Sequence, residues 1–153
     1  MTDQQIAPQP TTDVTSIESA IDLLKEQFPG VVHDDTREGY EGVIVDSNEL
    51  VKVATYIRDT LGFDYLSSAT AVDYAGLSEP DADMEMVYHA YRISGGAGLN
   101  FKAQTPRDNP VIPSLIDVWP GADFQEREAY DLMGIRFPGH PNLKRILLWD
   151  GFA

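Results

Sequence analysis

The stretch 84-MEMVYHAYRISGGAGLNFKAQT-105 decides the fold. MEMVYHAYRI is apolar on both alternating faces at its centre, which is the pattern of an interior strand. LNFKAQT alternates cleanly, with Leu99, Phe101 and Ala103 on one side and Asn100, Lys102 and Gln104 on the other. That period of two describes a strand with one face in a core. The glycines of SGGAG superficially suggest a phosphate cradle. They do not form GxGxxG, and a strand follows them where a helix N-terminus would be required. A hairpin turn is the reading to prefer.

Upstream, FDYLSSATAVDY is rich in aromatic, Thr and Val positions and predicts a third strand, joined to MEMVYHAYRI by the loop EPDADM. Before it, DSNELVKVATYIRDTLG predicts a helix. Leu50, Val53, Ala54, Ile57 and Leu61 fall on one side, Asp46 and Glu49 have the spacing of an N-terminal cap, and Gly62 ends the run. Val31–His33 and Tyr40–Val45 are short strand candidates around a polar turn. TSIESAIDLLKEQFPG predicts the first helix, with Thr15 and Glu18 at capping-box spacing and Pro29-Gly30 as the stop. Its stripe of Ile17, Ala20, Ile21, Leu24 and Phe28 must cover something, because each large apolar side chain fully buried contributes roughly 1.5–3 kcal/mol. Residues 1–14 are polar and rich in Pro, Gln and Thr, and predict a floppy tail.

The order is therefore helix, two strands, helix, three strands. Two amphipathic helices against one mixed sheet give a two-layer α+β domain over residues 15–105. After Thr105 the character changes. PRDNPVIPSLIDVWPGADF reads as irregular, with a short helix near Ser114–Val118, and FQEREAYDLMG then predicts a helix dense in charge. Residues 106–153 thus form a C-terminal segment of a different kind.

The charges of that helix invite a catalytic reading. Glu128 and Asp131 share a face, Arg127 and Asp131 have the spacing to pair, and Glu126 and Arg127 point about 100° apart. Neighbouring carboxylates on one turn cannot face each other across a cleft as a glycosidase pair does. A di-iron bundle needs Glu-x-x-His, and no His follows within the helix. A metal-dependent hydrolase using Glu128, Asp131 and His140 is conceivable but under-specified by this spacing. A solvated helix face is the plainest alternative. Against it stand Trp119, Phe124, Tyr130, Leu132, Met133, Ile135 and Phe137, which surround the charges, and the apolar run Ile146-Leu147-Leu148-Trp149 that follows. Charges set among aromatics need partners, since unpaired burial is costly. Arg, Trp and Tyr are also favoured at interface centres.

Composition narrows the chemistry. The 153-residue chain carries a formal net charge of −14, which repels nucleic acid phosphates and anionic lipid. Of its 11 Lys and Arg, Arg127, Arg136, Lys144 and Arg145 cluster near the C-terminus. With no cysteine, thiol catalysis and Cys-ligated zinc or iron–sulfur sites are excluded within the chain. No HExxH, P-loop or GxSxG pattern occurs. No apolar run approaches the roughly 20 residues that cross a bilayer, and the N-terminus lacks signal-peptide features, so a cytosolic protein or one held at a membrane by a partner is expected.

Glu126-Arg127-Glu128, two residues, Asp131-Leu132-Met133, then His140, Lys144 and Ile146-Leu147 resemble the signature of the 30 kDa-type subunit family of type I NADH:quinone oxidoreductase, respiratory complex I. The wider run WPGADFQEREAYDLMGIRFPGHPNLKRILLWDGF is similar to that family almost residue for residue. The N-terminal part resembles it mainly in the order of helices and strands. The resemblance implies a non-catalytic subunit of the peripheral arm, on the cytoplasmic side of a bacterial membrane, beside the quinone-site subunit and the cluster-bearing subunits. FMN, iron–sulfur clusters and quinone would lie in those partners, with no cofactor, catalytic or metal residue in this chain. Electron transfer from NADH to quinone would be coupled to proton translocation by the whole assembly. Trp119, Glu126, Arg127, Glu128, Tyr130, Asp131, Gly134, His140, Pro141, Lys144 and Arg145 carry the motif and are the interface candidates. Many relatives continue past this point with a basic run and a further tail, so contacts made by that tail are expected to be absent or supplied by another chain. The equivalent subunit of a membrane-bound hydrogenase or of a ferredoxin-driven oxidoreductase stays open at this point.

Overall fold

Hydrophobic residues at helical spacing and at alternate strand positions converge on one core. In a computed structural model, residues 16–75 and 83–152 are described. The tail read over 1–14, the cap read at Thr15 and most of the EPDADM loop lie outside them. Helix α1 (Ile17–Gln27) is capped by Ser16, whose hydroxyl accepts from Ser19 N. Strand β1 (Val32–Asp34) follows, one residue on from its expected place, and then β2 (Val43–Val45), shorter than the sequence suggested. Asp46 accepts from Asn48 N and opens a 3-10 turn at Ser47–Glu49 that runs into α2 (Leu50–Asp59). Then come β3 (Tyr65–Asp73), β4 (Met84–Tyr91) and β5 (Leu99–Thr105).

The sheet is mixed, with strand order β1-β2-β5-β4-β3. Only β2 against β5 is parallel; the other three pairings are antiparallel. SGGAG is the β4–β5 hairpin connection, as its glycines suggested. Met84, Met86, Tyr88 and Ala90 of β4 and Leu99, Phe101 and Ala103 of β5 face the core, where Ala20 and Leu24 of α1 and Leu50, Val53, Ala54 and Ile57 of α2 meet them. Tyr88 stacks on Phe101 at 4.9 Å between centroids.

Past β5, the expected helix at Ser114–Val118 is one turn, in which Val118 N and Trp119 N both bond Leu115 O. The next helix, α3 (Ala122–Met133), carries the charged motif. Ile112, Leu115, Trp119, Ala122, Ala129, Ile135 and Phe137 are buried in the same core as the sheet. The C-terminal part is therefore built into the domain. Trp119 Nε1 donates to Phe63 O at 3.0 Å, and Gln125 Oε1 accepts from Ala69 N of β3 at 2.5 Å, closing part of that edge strand.

Candidate functional site

Helix α3 distributes its carboxylates among three segments of its own chain. Glu126 points inward and is 0% exposed. Its two oxygens accept from Ser114 Oγ at 2.6 Å and from Leu115 N at 2.7 Å, which fixes the turn at 114–118. Burial pushes its carboxyl above the ordinary range, against the pull of those two donors and of His140. One turn earlier, Asp123 Oδ1 lies 2.9 Å from both Arg127 Nε and His140 Nε2. Arg127 also sits over the Phe124 ring, 5.2 Å from its centroid. The sequence suggested a pairing of Arg127 with Asp131; the structure pairs Arg127 backward with Asp123.

Asp131 instead reaches past the helix end. Its side chain is closed to solvent and accepts from Arg145 Nε at 2.8 Å. It also accepts from three successive backbone amides, Ile146 N at 3.1 Å, Leu147 N at 2.6 Å and Leu148 N at 2.8 Å. Burial would raise this carboxyl, but Arg145 and the three amides outweigh it and hold the pKa at about 2. Arg145 also donates to Phe152 O at 3.1 Å, so one ion pair pins the chain on both sides of Trp149.

The remaining motif residues have separate places. Gly134 ends α3 in the left-handed region, φ 72°. Beyond it, residues 110–114 run beside 136–138, with Ile112 N, Arg136 N and Ser114 N bonding Arg136 O, Pro110 O and Pro138 O. Tyr130 and His140 line a cleft of about 390 Å³ with Val111, Arg136, Phe137 and Leu143. Trp119 is buried; Glu128, Pro141 and Lys144 are exposed. Glu128, Asp131 and His140 do not form a set able to hold a metal ion; no such group of His, Asp and Glu occurs among the described residues. Asp131 is committed to residues 145–148 and His140 to Asp123.

A second polar cluster was missed in the sequence. Asp35 accepts from Arg37 Nε at 2.8 Å and from Lys102 Nζ at 2.5 Å. Glu85 accepts from Arg37 Nη2, Tyr74 OH and Gln104 Nε2. Lys102 and Glu85 lie on the sheet face away from the helices, yet both are buried. Lys102 Nζ donates to Glu41 O at 2.7 Å, and Arg37 stands 4.2 Å from the Tyr40 ring centroid, so residues 35–41 lie over this face. A lysine and a glutamate at strand positions facing away from a core signal a solvated face. Only the position of the 35–41 loop makes them buried partners.

Comparison with known proteins then bears on the motif. Residues 43–153 match the family described as the respiratory-chain NADH dehydrogenase 30 Kd subunit. The chain belongs to that family. Similar members include a NADH-quinone oxidoreductase subunit of Moorella thermoacetica, 41% identical, covering 90% of this chain and 89% of the relative. The like-named protein of a Roseiflexus species is 40% identical, covering 87% and 78%. A chloroplast NAD(P)H-quinone oxidoreductase subunit of Oenothera argillicola is 39% identical, covering 80% and 81%. Among solved structures, the trypsin-resistant fragment of Nqo5 superposes with a TM-score of 0.68 at 26% identity, covering 83% of this chain and 98% of the fragment. The membrane-bound sulfane sulfur reductase, an archaeal respiratory membrane complex, contains a chain similar at a TM-score of 0.70 and 22% identity, covering 88% and 77%, which is a likeness of fold alone. The match to the 30 Kd subunit family spans β2 to the C-terminus and so includes α3 and the segments it holds.

Proposed function

We propose that this chain is an assembly subunit of the peripheral arm of NADH:quinone oxidoreductase, docked beside the quinone-site subunit on the cytoplasmic face of the membrane. It takes no part in the chemical steps. FMN, the iron–sulfur clusters and quinone belong to partner subunits, and the coupling of electron transfer to proton movement is a property of the whole complex. The relatives named as oxidoreductase subunits support the setting.

One observation carries the role assigned to the motif. Asp131 spends its carboxylate on Arg145 and on three amides of residues 146–148. A carboxylate so committed is a fastener, and what it fastens is an apolar, partly exposed run. No helix among the described residues is long and apolar enough to cross a membrane, so attachment would be through partners.

The test is complementation of cells lacking the chain. Asp131→Asn keeps the shape but loses the charge that holds Arg145. Less assembled complex and proportionally less membrane NADH:quinone reductase activity are expected, while the purified variant still melts cooperatively. Full assembly with normal activity would remove the docking role.

A further inference from the structure

The buried charges on the sheet face away from the helices come from places far apart in the chain. Asp35 and Arg37 lie between β1 and β2, Glu85 on β4 and Lys102 on β5. Two carboxylates are balanced by a guanidinium and an ammonium. The side chains of Asp35, Glu85 and Lys102 are 0%, 1% and 5% exposed. Replacing such a set with apolar residues of similar volume is often neutral or stabilising, so stability alone does not account for it.

The set can tell one placement of β5 from another. A slip of β5 by one residue turns Lys102 into the core and Phe101 out of it, and the apolar alternation forbids that. A slip by two keeps Leu99, Phe101 and Ala103 facing inward, and the alternation cannot detect it. Nor does the hairpin forbid it. Residues 92–98 join β4 to β5, with Gly95 and Gly96 at φ 110° and 103° in open space, a slacker link than a two-residue turn. Shape opposes the slip in part, since Tyr88 stacks on Phe101 and the Tyr91 ring lies against Gly98. Cores, however, repack shape more readily than they tolerate a stranded charge.

Lys102 supplies that charge. It stands in register with Ile44 of β2 and Val87 of β4, and its ammonium reaches Asp35 at 2.5 Å and Glu41 O at 2.7 Å. Two residues of slip move it roughly 6.6 Å along the strand. In one direction it then stands opposite His89, and Gln104 takes its place. In the other it stands opposite Glu85, in the exposed row of Gln104, and Asn100 takes its place. Either way a neutral amide replaces the ammonium beside Asp35 and Glu41 O.

We infer that the Asp35–Lys102 pair is a register key. Among the placements of β5 that the apolar pattern allows, it selects the one with Lys102 between Ile44 and Val87, and Arg37 with Glu85 completes the charge balance around it.

The chain has no cysteine, so introduced cysteine pairs can report register. His89→Cys with Asn100→Cys marks the native pairing, at a separation that suits a disulfide. Val87→Cys with Gln104→Cys, and Val87→Cys with Asn100→Cys, mark the two slips; in the native sheet they are diagonal neighbours, beyond bridging distance. Each pair is placed in the full chain, which is refolded from denaturant and mildly oxidised. With Asp35 and Lys102 present, only the native pair should close. With Asp35→Leu and Lys102→Met together, at least one slipped pair should close several-fold more, while the melting temperature stays at or above that of the parent. Lys102→Arg keeps the cation and should show the native bridge alone. Native bridging alone in the apolar double variant overturns the inference, because shape would then suffice. A double variant that melts lower, or without cooperativity, overturns it too, because the pair would then stabilise the fold rather than choose its register.

Discussion

Glu126 and Asp131 stand five residues apart on one helix and titrate in opposite directions. Burial holds the Glu126 carboxyl above its ordinary range, so the ionised form is disfavoured in the folded state. Its contribution to stability is therefore complete below the ordinary glutamate value and falls as pH rises through the folded one. Asp131 is held at about 2. Its contribution is present above about pH 4 and disappears as pH falls towards 2. Glu126→Gln keeps an acceptor for Leu115 N and removes the titration, so denaturant unfolding should show a flatter stability profile than wild type as pH rises above the ordinary glutamate range. Glu126→Ala leaves Leu115 N and Ser114 Oγ without their partner and should cost roughly 1–3 kcal/mol at neutral pH. Asp131→Ala should act locally, with the amides of Ile146, Leu147 and Leu148 exchanging faster in a hydrogen-exchange experiment while those of β4 are unchanged.

Elements follow from local periodicity, and their pairing does not. The two sheet-covering helices could be read because apolar residues recur every three or four positions, while Asp46 caps the 3-10 turn that leads into the second and not that helix itself. Ser114–Val118 misled because its apolar spacing also suits a helix. In the fold, Ser114 Oγ and Leu115 N are both taken by Glu126, and the segment stops after a single turn. Asp131 misled for the same reason. The rule for neighbours four apart suggested Arg127, whereas the partner is Arg145, and no local spacing carries a contact of that range. The parallel union of β2 with β5 is likewise invisible in either strand, but it leaves a testable mark at Gly42. A Cβ there would stand 2.1 Å from Asn100 O on β5, at a φ of 90°. Gly42→Ala should cost roughly 3 kcal/mol through clash and conformational strain together. Gly39→Ala, at φ 83° in open space, should cost only about 1 kcal/mol. Thermal unfolding of the two variants side by side separates the close approach from the strain.

At the scale of the molecule, charge is used in two ways. On the sheet face away from the helices, Asp35, Arg37, Glu85 and Lys102 satisfy one another. Removing one member of such a buried network strands the others. Arg37→Met should lower stability by roughly 3 kcal/mol, read as a lower melting temperature with the fold retained. The cluster holds residues 35–41 against the sheet, whereas the charges of α3 hold the C-terminal run. The strand order has a further consequence, for synthesis. The last of the five strands to be made, β5, takes the middle place in the sheet, between β2 and β4. A ribosome that has released everything up to β4 presents two separate hairpins, β1–β2 and β3–β4, each with an open edge waiting for the same missing strand. Neither hairpin can complete the other, so the sheet closes in one late event, and a stalled or truncated chain is left with unpaired edges exposed to its neighbours. A pause once β4 has emerged and while β5 is still inside the ribosome is therefore the point at which this protein is most exposed to aggregation, and at which a chaperone has the most to cover.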